Sequence, residues 1–166
     1  MDFIECTENQ DFLEVGCGAG AVSLFCAHEY CFNVTAVDVD PDMIRLAQAD
    51  ANDSKVHFTV ADSTRLAFAD ESFDIVLSFG VMHHIPNWLD ALEEIRRVLK
   101  CKGYFIYWDI MYPWFLAKVG ELFARNYGVT TLDKFNHYIE QKNFSKVHFS
   151  VLRSLQFYEL EAVLQK

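Results

Sequence analysis

The first half of this 166-residue sequence is poor in basic side chains. Residues 1–83 contain 3 lysines and arginines against 15 aspartates and glutamates (3 − 15 = −12), whereas residues 84–166 contain 11 against 9 (+2). Nucleic-acid backbones and anionic membrane surfaces are bound by clustered Lys and Arg. The imbalance therefore argues against a nucleic acid or an anionic membrane as the partner of the first half.

Other features are missing as well. No apolar run approaches the roughly 18 residues of a membrane span, and the segment Met1–Glu5 is acidic where a signal or transit peptide is basic. The five cysteines form no Cys-x-x-Cys pair, and their odd number leaves one over in any full pairing. No His, Cys and carboxylate spacing resembles a metal site. These absences predict a cytoplasmic protein with reduced thiols, no membrane span and no metal.

What the sequence does have is an alternation of strand-like and helix-like segments, compatible with one domain over residues 1–166. Several predicted strands are apolar on both faces, as in a parallel sheet covered by helices on both sides. The predicted strands are Asp11–Val15, Asn33–Asp38, Lys55–Val60, Phe73–Phe79 and Tyr104–Ile110. The predicted helices are Ala21–Tyr30, a segment opened by Pro41, and a segment opened by Pro86 and stopped by Gly103.

The second half departs from this alternation and then closes with a hairpin. Residues 111–142 form an aromatic insertion, for which the pattern predicts a helix near Pro113–Phe123 and another over Leu132–Gln141. Two alternating runs follow, Lys146–Leu152 and Gln156–Leu164, and predict antiparallel strands. The predicted fold class is α/β: a doubly wound, Rossmann-like domain with a mostly parallel seven-stranded sheet and a C-terminal antiparallel hairpin.

A glycine-rich loop joins the first predicted strand to the first predicted helix. Gly16, Gly18 and Gly20 would let a ligand lie against the backbone and the helix N-terminus. Gly16-x-Gly18-x-x-Ala21, with Asp38 following after 38 − 16 = 22 residues, also satisfies a loose dinucleotide fingerprint. A nicotinamide-dependent oxidoreductase is therefore one hypothesis.

Carboxylates gather where the predicted strands end. Glu14 lies two residues before Gly16. Asp38 closes the second predicted strand, with Asp40 just after it, and Asp62 follows the third. These acids are expected at one edge of the sheet, where they would repel a pyrophosphate and attract a cationic ligand that contains a ribose and a base. S-adenosylmethionine, with its sulfonium, ammonium, ribose diol and adenine amine, has that chemistry.

Five segments carry a resemblance to a known family: FLEVGCGAG (12–20), VTAVDVD (34–40), ADS (61–63), FDIVLSFGVMHHIP (73–86) and RRVLKCKG (96–103). In this order and spacing they resemble the class I S-adenosylmethionine-dependent methyltransferases, most closely the branch with the quinone-biosynthesis and many small-molecule enzymes. The resemblance spans residues 11–110. It implies S-adenosylmethionine as cofactor and S-adenosylhomocysteine as product.

The resemblance also implies roles for individual residues. The glycine loop would wrap the amino-acid part of the cofactor with the help of Glu14, and Asp38 would bind the ribose hydroxyls. Asp62 would accept a hydrogen bond from the adenine amine. The implied cofactor-binding residues are Glu14, Gly16, Cys17, Gly18, Gly20, Asp38, Val39, Met43, Asp62, Ser63, Phe79 and Gly80.

The sequence departs from the family pattern at two places. It has Cys101-Lys102-Gly103 where the family usually has Pro-Gly-Gly. Only about ten residues precede the first predicted strand, whereas relatives commonly carry an N-terminal helical segment over the pocket. The site is therefore expected to be open, to be capped by residues 111–142 as a lid, or to be completed by a partner chain, as in a homodimer.

A proton acceptor is needed only when the methyl acceptor is a neutral hydroxyl or an acidic carbon. His83 and His84 follow the fourth predicted strand, at the edge where ligands bind in such sheets. A structural role, capping the next helix or packing, is the alternative. His84 matches the histidine more often found in this family branch and is the predicted catalytic residue.

The leading hypothesis is thus methyl transfer to a small-molecule acceptor by in-line displacement. The alternatives are a catalytically silent S-adenosylmethionine-binding module, a subunit of a heteromeric methyltransferase, and the oxidoreductase named above. The predicted C-terminal hairpin and Asp62 argue against the oxidoreductase. The identity of the acceptor stays open, as does the choice among oxygen, nitrogen and carbon methylation.

Overall fold

A computed structural model of the chain describes residues 3–51, 55–113, 128–153 and 157–166. The strands are β1 (Asp11–Val15), β2 (Asn33–Asp38), β3 (Val56–Val60), β4 (Phe73–Phe79), β5 (Leu99–Met111), β6 (Ser145–Arg153) and β7 (Tyr158–Gln165). The α-helices of the described residues are α1 (Ala21–Tyr30), α2 (Pro41–Asp50), α3 (Trp88–Val98) and α4 (Leu132–Gln141), and a 3₁₀ turn covers Met82–His84.

The strands form a seven-stranded sheet in the order β3-β2-β1-β4-β5-β7-β6. The first five in this order are parallel, and β7 runs antiparallel to both β5 and β6. This arrangement confirms the predicted fold class, including the closing antiparallel hairpin. The order reverses between β1 and β4, and in open parallel sheets ligands bind at the carboxyl ends of strands beside such a reversal.

Alternation along β1 shows how the sheet is covered on both sides. Phe12 packs in the apolar cluster that contains buried residues of α1 and α2. Leu13 and Val15 pack in the second cluster, with buried residues of α3 and α4. All three side chains are fully buried, as expected of a central parallel strand. The sheet is thus a rigid platform for the loops at its carboxyl edge.

Three predicted boundaries around the third helix are wrong. The helix begins at Trp88, not at Pro86, because its N-cap residue Asn87 has a non-helical backbone, with φ −98° and ψ 49°. It ends at Val98, and Gly103 lies inside β5, which begins at Leu99 rather than Tyr104. The β4–β5 register jumps from Phe73–Leu99 to Ile75–Tyr104, so the residues between bulge from the strand.

The aromatic insertion is only partly described. The helix predicted over Leu132–Gln141 is confirmed with those bounds. It begins after Thr131, whose hydroxyl accepts a hydrogen bond from the Lys134 N–H. The helix predicted near Pro113–Phe123 falls almost entirely outside the described residues. Of the helices that the structure describes, none is long and apolar enough to cross a membrane.

Candidate functional site

A cavity of about 870 Å³ opens at the carboxyl edge of the sheet, beside the reversal between β1 and β4. Its size is within the range of small-molecule sites, roughly 300 to 1,000 Å³. Of the residues predicted from sequence, those that line it are Gly16, Asp38, Val39, Met43, Asp62, Ser63, Phe79, Gly80 and His84. Asp40, predicted among the acids at this edge of the sheet, lines it as well, and the lining residues that were not predicted are Thr64, Val81, Ile85, Pro86 and Asn87.

The glycine loop contacts this cavity through Gly16, whereas the predicted residues Cys17, Gly18 and Gly20 are not among its lining residues. All three glycines of the loop have positive φ. The N–H groups of Gly16 and Cys17 donate to the Val37 carbonyl at 2.7 and 2.9 Å, which fixes the loop to β2. A Cβ on Gly20 would lie 2.6 Å from the Phe58 ring, whereas a Cβ on Gly18 would meet no atom within 4 Å. Gly20 is therefore required by packing, and Gly18 leaves open space beside the loop.

This difference predicts that two alanine substitutions destabilise the protein to different extents. Gly20→Ala adds a left-handed backbone penalty to a steric overlap with Phe58, and we expect it to lower the free energy of unfolding by roughly 2 to 4 kcal/mol. Gly18→Ala carries the backbone penalty alone, about 1 kcal/mol. Urea unfolding of both variants measures which of them loses more stability. Equal free energies of unfolding would contradict the packing role of Gly20.

Asp38 connects the glycine loop to the end of β2. Its Oδ2 accepts from the Gly18 N–H at 2.9 Å, and its Oδ1 accepts from the Asp40 N–H at 2.9 Å. A carboxylate has lone pairs for about four hydrogen bonds, so the side chain can still accept from a ligand. Asp38 thus shapes the loop and lines the cavity at the same time.

Glu14 is buried beneath the glycine loop and is not among the residues that line the cavity. Its carboxylate accepts a hydrogen bond from the Ser23 hydroxyl on α1. The pKa of Glu14 is raised to about 7, mainly because the carboxyl group is buried. The charge of Asp38 also raises this pKa, whereas hydrogen bonds from Ser23 lower it. The carboxyl group is therefore poised between its two protonation states at neutral pH.

Cys17 is a buried loop residue with an unreactive thiol. Its Sγ donates to the Gly18 carbonyl at 3.6 Å. Burial raises the pKa of this thiol to about 12, with further contributions from the charges of Glu14 and Asp38. Since the thiolate is the nucleophilic form, Cys17 contributes its small size to the loop and no redox or nucleophilic chemistry at neutral pH.

The part of the cavity lining that follows β2 and β3 combines exposed apolar side chains with a hydrogen-bonded turn. Val39 and Met43 are 69% and 37% exposed, an unusual degree for large apolar side chains in a concave site. Asp62 Oδ1 accepts from both the N–H and the hydroxyl of Thr64, each at 2.8 Å. Next to it, Ser63 is buried. This side offers apolar contact area next to a carboxylate that is already oriented.

An aromatic pair joins the end of β4 to β5, and two histidines follow β4. Phe79 stacks on Trp108 with ring centroids 4.8 Å apart, and Gly80 N–H donates to the Trp108 carbonyl at 2.8 Å. His84 lines the cavity, and its ring centroid lies 3.9 Å from that of His83. This position is compatible with the predicted catalytic role of His84, which stays a prediction.

The charge of the cavity lining is negative. It includes the carboxylates of Asp38, Asp40 and Asp62, and none of its described residues is a lysine or an arginine. A pyrophosphate would therefore meet uncompensated like charge. In the part of the chain that the structure describes, no three His, Cys, Asp or Glu residues are grouped so as to hold a metal ion.

A family model described as a methyltransferase domain matches residues 13–107, which include most of β1, all of β2, β3 and β4, and most of β5. The chain belongs to this methyltransferase domain family. The match begins in β1 and includes the glycine loop and every described residue that lines the cavity. The family resemblance found in the sequence is thereby confirmed.

Two curated relatives and one solved structure illustrate the similarity of this methyltransferase domain. It is 36% identical over 98 residues to the 2-methyl-6-phytyl-1,4-hydroquinone methyltransferase of Synechocystis sp. (58% of this chain, 31% of the relative). It is 34% identical over 103 residues to the fatty-acid O-methyltransferase of Mycolicibacterium smegmatis (61% and 38%). The match thus covers about a third of the length of these relatives.

The solved structure is phosphoethanolamine N-methyltransferase 2 of Haemonchus contortus in complex with S-adenosyl-L-methionine. It has a TM-score of 0.77 and 22% sequence identity, covering 91% of this chain and 36% of that one. At this identity the likeness concerns the fold alone, and it confirms the methyltransferase fold assigned above.

The cavity residues missed in the sequence have a recognisable signal. Thr64 follows the end of β3, and the turn from Val81 to Asn87 follows β4. The rule that ligands bind at carboxyl ends of parallel strands would have included them. A second omission, outside the cavity lining, is Asp109, an acid with apolar neighbours on β5 that the structure buries completely and pairs with His83.

Proposed function

We propose that this methyltransferase domain binds S-adenosylmethionine in the cavity at the β1–β4 reversal and transfers its methyl group to a small-molecule acceptor. The observation that carries the proposal is the acidic lining beneath a loop of three positive-φ glycines. Such a lining favours a cationic nucleoside over a pyrophosphate-containing one. Family membership supports the same conclusion.

The residues present fit the cofactor group by group. Asp38 retains acceptor capacity for the ribose hydroxyls, and the exposed apolar surfaces of Val39 and Met43 suit an adenine face. Asp62, oriented by Thr64, would accept from the adenine amine. The open space beside Gly18 suits the amino-acid part, with Glu14 beneath the loop supplying negative charge.

The same residues suit an in-line displacement. When bound, S-adenosylmethionine supplies an electrophilic methyl group on a sulfonium. The domain's contribution would be to hold that group in line with the acceptor and to exclude water from the reacting atoms. The stacked Phe79–Trp108 pair offers an aromatic surface near the cation, a contact worth roughly 0.5 to 2 kcal/mol.

Isothermal calorimetry separates the candidate functions. We expect one S-adenosylmethionine per chain with saturation well below about 1 mM, and no binding of NADH. NADH binding without S-adenosylmethionine binding would support the oxidoreductase instead. Cofactor binding with no methyl release to any acceptor, together with a stable heteromer in cell extract, would support the silent module or subunit.

Three further points remain proposals. Residues 111–142 would act as a lid or acceptor-binding segment of a single domain, because they lie between β5 and β6 and include α4. A second copy or a partner chain is the alternative source of a cap. A cytoplasmic location is inferred from the five cysteines, all described and none in a disulfide.

A further inference from the structure

A second cavity, of about 550 Å³, lies at the amino edge of the sheet, opposite to the cofactor site. Its lining comes from the segment before β4, from the second half of α3 and from the end of β7. It shares no residue with the first cavity and consists entirely of charged side chains: Asp70, Glu71, Glu93, Glu94, Arg96, Arg97 and Lys166. A volume of this size is within the range of small-molecule sites. The partners of these charges indicate what the cavity can bind.

The guanidinium of Arg97 has no donor left for a ligand. Three of its N–H groups donate to the carboxylates of Glu94 and Asp70, each at 2.8 Å. The other two donate to the carbonyls of Leu66 and Phe68, at 2.9 and 2.7 Å. These bonds use every donor that a guanidinium has. Arg97 therefore fixes α3 to the segment between β3 and β4, and its role is structural.

The other two carboxylates of the lining also have cationic partners. Lys142 Nζ, at the end of α4, lies 2.6 Å from Glu93 Oε1. Lys166 Nζ lies 3.5 Å from Glu71 Oε1. Together with the two carboxylates that Arg97 binds, every acid of the described lining is paired. The lining therefore offers little attraction to a cationic ligand.

Arg96 differs from its neighbour in the sequence. Among the cations of the lining, as the structure describes it, Arg96 alone has no carboxylate partner. Its Nε is buried and has no hydrogen-bond acceptor, and the same holds for the hydroxyl of Tyr138 on α4, a residue that is 6% exposed. Burial raises the pKa of Tyr138, the charge of Glu93 raises it further, and the charge of Arg96 lowers it, so both charges lie near the phenol. Two donors without acceptors thus lie close together on α3 and α4.

These two donors define the chemistry of a ligand. Buried donors without an acceptor are costly, and native structures usually provide one. A guanidinium N–H and a phenol O–H both require an acceptor such as oxygen, and the unpaired charge of Arg96 favours a negative one. A carboxylate meets both requirements with a single charge, whereas a phosphate dianion would be repelled by the four carboxylates of the lining. The lining has no apolar side chain, so the rest of the ligand should be polar as well.

We propose that this cavity is a second ligand site, which binds small hydroxylated monocarboxylates through the guanidinium of Arg96 and the hydroxyl of Tyr138. Arg96 lines the cavity and is partly exposed, so a rotation of its side chain brings Nε to the ligand and uncovers the phenol. Binding is reversible and involves no covalent step. The site is separate from the cofactor cavity, and this inference does not depend on the proposed function.

The first test follows the Nε–H signals of the ¹⁵N-arginine-labelled chain by two-dimensional NMR, without cofactor. We expect gluconate to shift the Arg96 signal in a saturable way, with a Kd below about 10 mM. Arg96→Gln identifies this signal by removing it. Hexanoate, which has no hydroxyl groups, and inorganic phosphate should bind at least about tenfold more weakly. The absence of a saturable shift, or tighter binding of hexanoate or phosphate, would overturn the proposal.

The second test measures gluconate binding to single variants by calorimetry. We expect Arg96→Gln to raise the Kd at least about tenfold, and Tyr138→Phe, which removes only the hydroxyl, to raise it about three- to tenfold. Arg153→Gln, at the exposed end of β6, removes the same charge elsewhere and should leave the Kd within about twofold of the native value. Tyr138→Phe keeps the test valid if Arg96→Gln does not fold.

Each contrary outcome is distinct. An unchanged Kd in a folded Arg96→Gln or Tyr138→Phe chain shows that gluconate binds elsewhere, which overturns the proposal. Competition by S-adenosylhomocysteine also overturns it, because it places gluconate in the cofactor cavity. Failure of the chain to bind S-adenosylhomocysteine would overturn the proposed function and leave this inference intact.

Discussion

Replacing Asp38 by alanine is expected to weaken S-adenosylhomocysteine binding about 100-fold. The change removes the proposed acceptor of the ribose hydroxyls. It also releases the Gly18 and Asp40 N–H groups, which the carboxylate holds at 2.9 Å each. Hydrogen bonds to a charged group contribute about 1.5 to 3 kcal/mol each, so losing the ribose contacts and the loop position together accounts for this magnitude.

Asp42→Ala is the matched control for this variant. Asp42 lies four residues away on α2, forms an exposed ion pair with Arg45, and does not line the cavity. Its removal changes the net charge near the site equally, and we expect a Kd within about twofold of the native value. Calorimetry measures both variants. An unchanged Kd in a folded Asp38→Ala chain would show that the ribose is bound elsewhere.

Glu14→Gln is expected to stabilise the unliganded chain at pH 8 and to abolish a pH dependence of cofactor binding. Burial raises the pKa of Glu14 from 4.5 to about 7. Between pH 4.5 and pH 7 the carboxyl group is therefore protonated in the folded state and ionised in the unfolded state. The contribution of Glu14 to stability therefore falls as the pH rises through this window. Between pH 5 and pH 8 this lowers the free energy of unfolding by about 2 to 3 kcal/mol. Glutamine does not ionise, so the variant does not lose this stability.

Urea unfolding at the two pH values measures this effect. The free energy of unfolding of Glu14→Gln, relative to that of the native chain, should be higher at pH 8 than at pH 5 by about 2 to 3 kcal/mol. Glu8→Gln, at an exposed position, serves as the control and should show no such difference. If the variant and the native chain differ in free energy of unfolding by the same amount at both pH values, Glu14 has an ordinary pKa.

The same group links binding to pH. If the ionised carboxylate attracts the ligand's ammonium, a pKa of about 7 makes S-adenosylhomocysteine bind about tenfold more weakly at pH 6 than at pH 8. Glu14→Gln should bind weakly at both pH values. A variant that is more stable and yet binds less well indicates a residue kept for ligand binding at a cost in stability.

Local pattern was sufficient to predict most of the fold. The bounds of β1, α1, β2, β4 and α4 follow from apolar periodicity and from the glycines and prolines beside them. The failures lie at the start of β5. There a bulge with Lys102 at φ +64° replaces a simple turn, and Leu99 already pairs with Phe73. The bulge arises from strand pairing between distant segments, which local sequence does not report.

The site could be predicted only as far as strand ends and motifs define it. Asp38 and Asp62 line the cavity, as their positions after strands predicted. Glu14 was expected at the ligand-binding edge of the sheet, but alternation along β1 turns its side chain toward α1, where the Ser23 hydroxyl donates to it. The pairing of His83 with Asp109 joins residues 26 positions apart and depends on the β4–β5 register, so it is visible only in three dimensions.

A crystal structure of the chain with S-adenosylhomocysteine tests the central claim most directly. We predict the nucleoside in the 870 Å³ cavity, with the ribose hydroxyls within about 3 Å of Asp38 and the adenine amine at the same distance from Asp62. The thioether sulfur should face the side of the cavity formed by the turn after β4. Ligand density outside this cavity, or a ribose that does not contact Asp38, would contradict the proposed function.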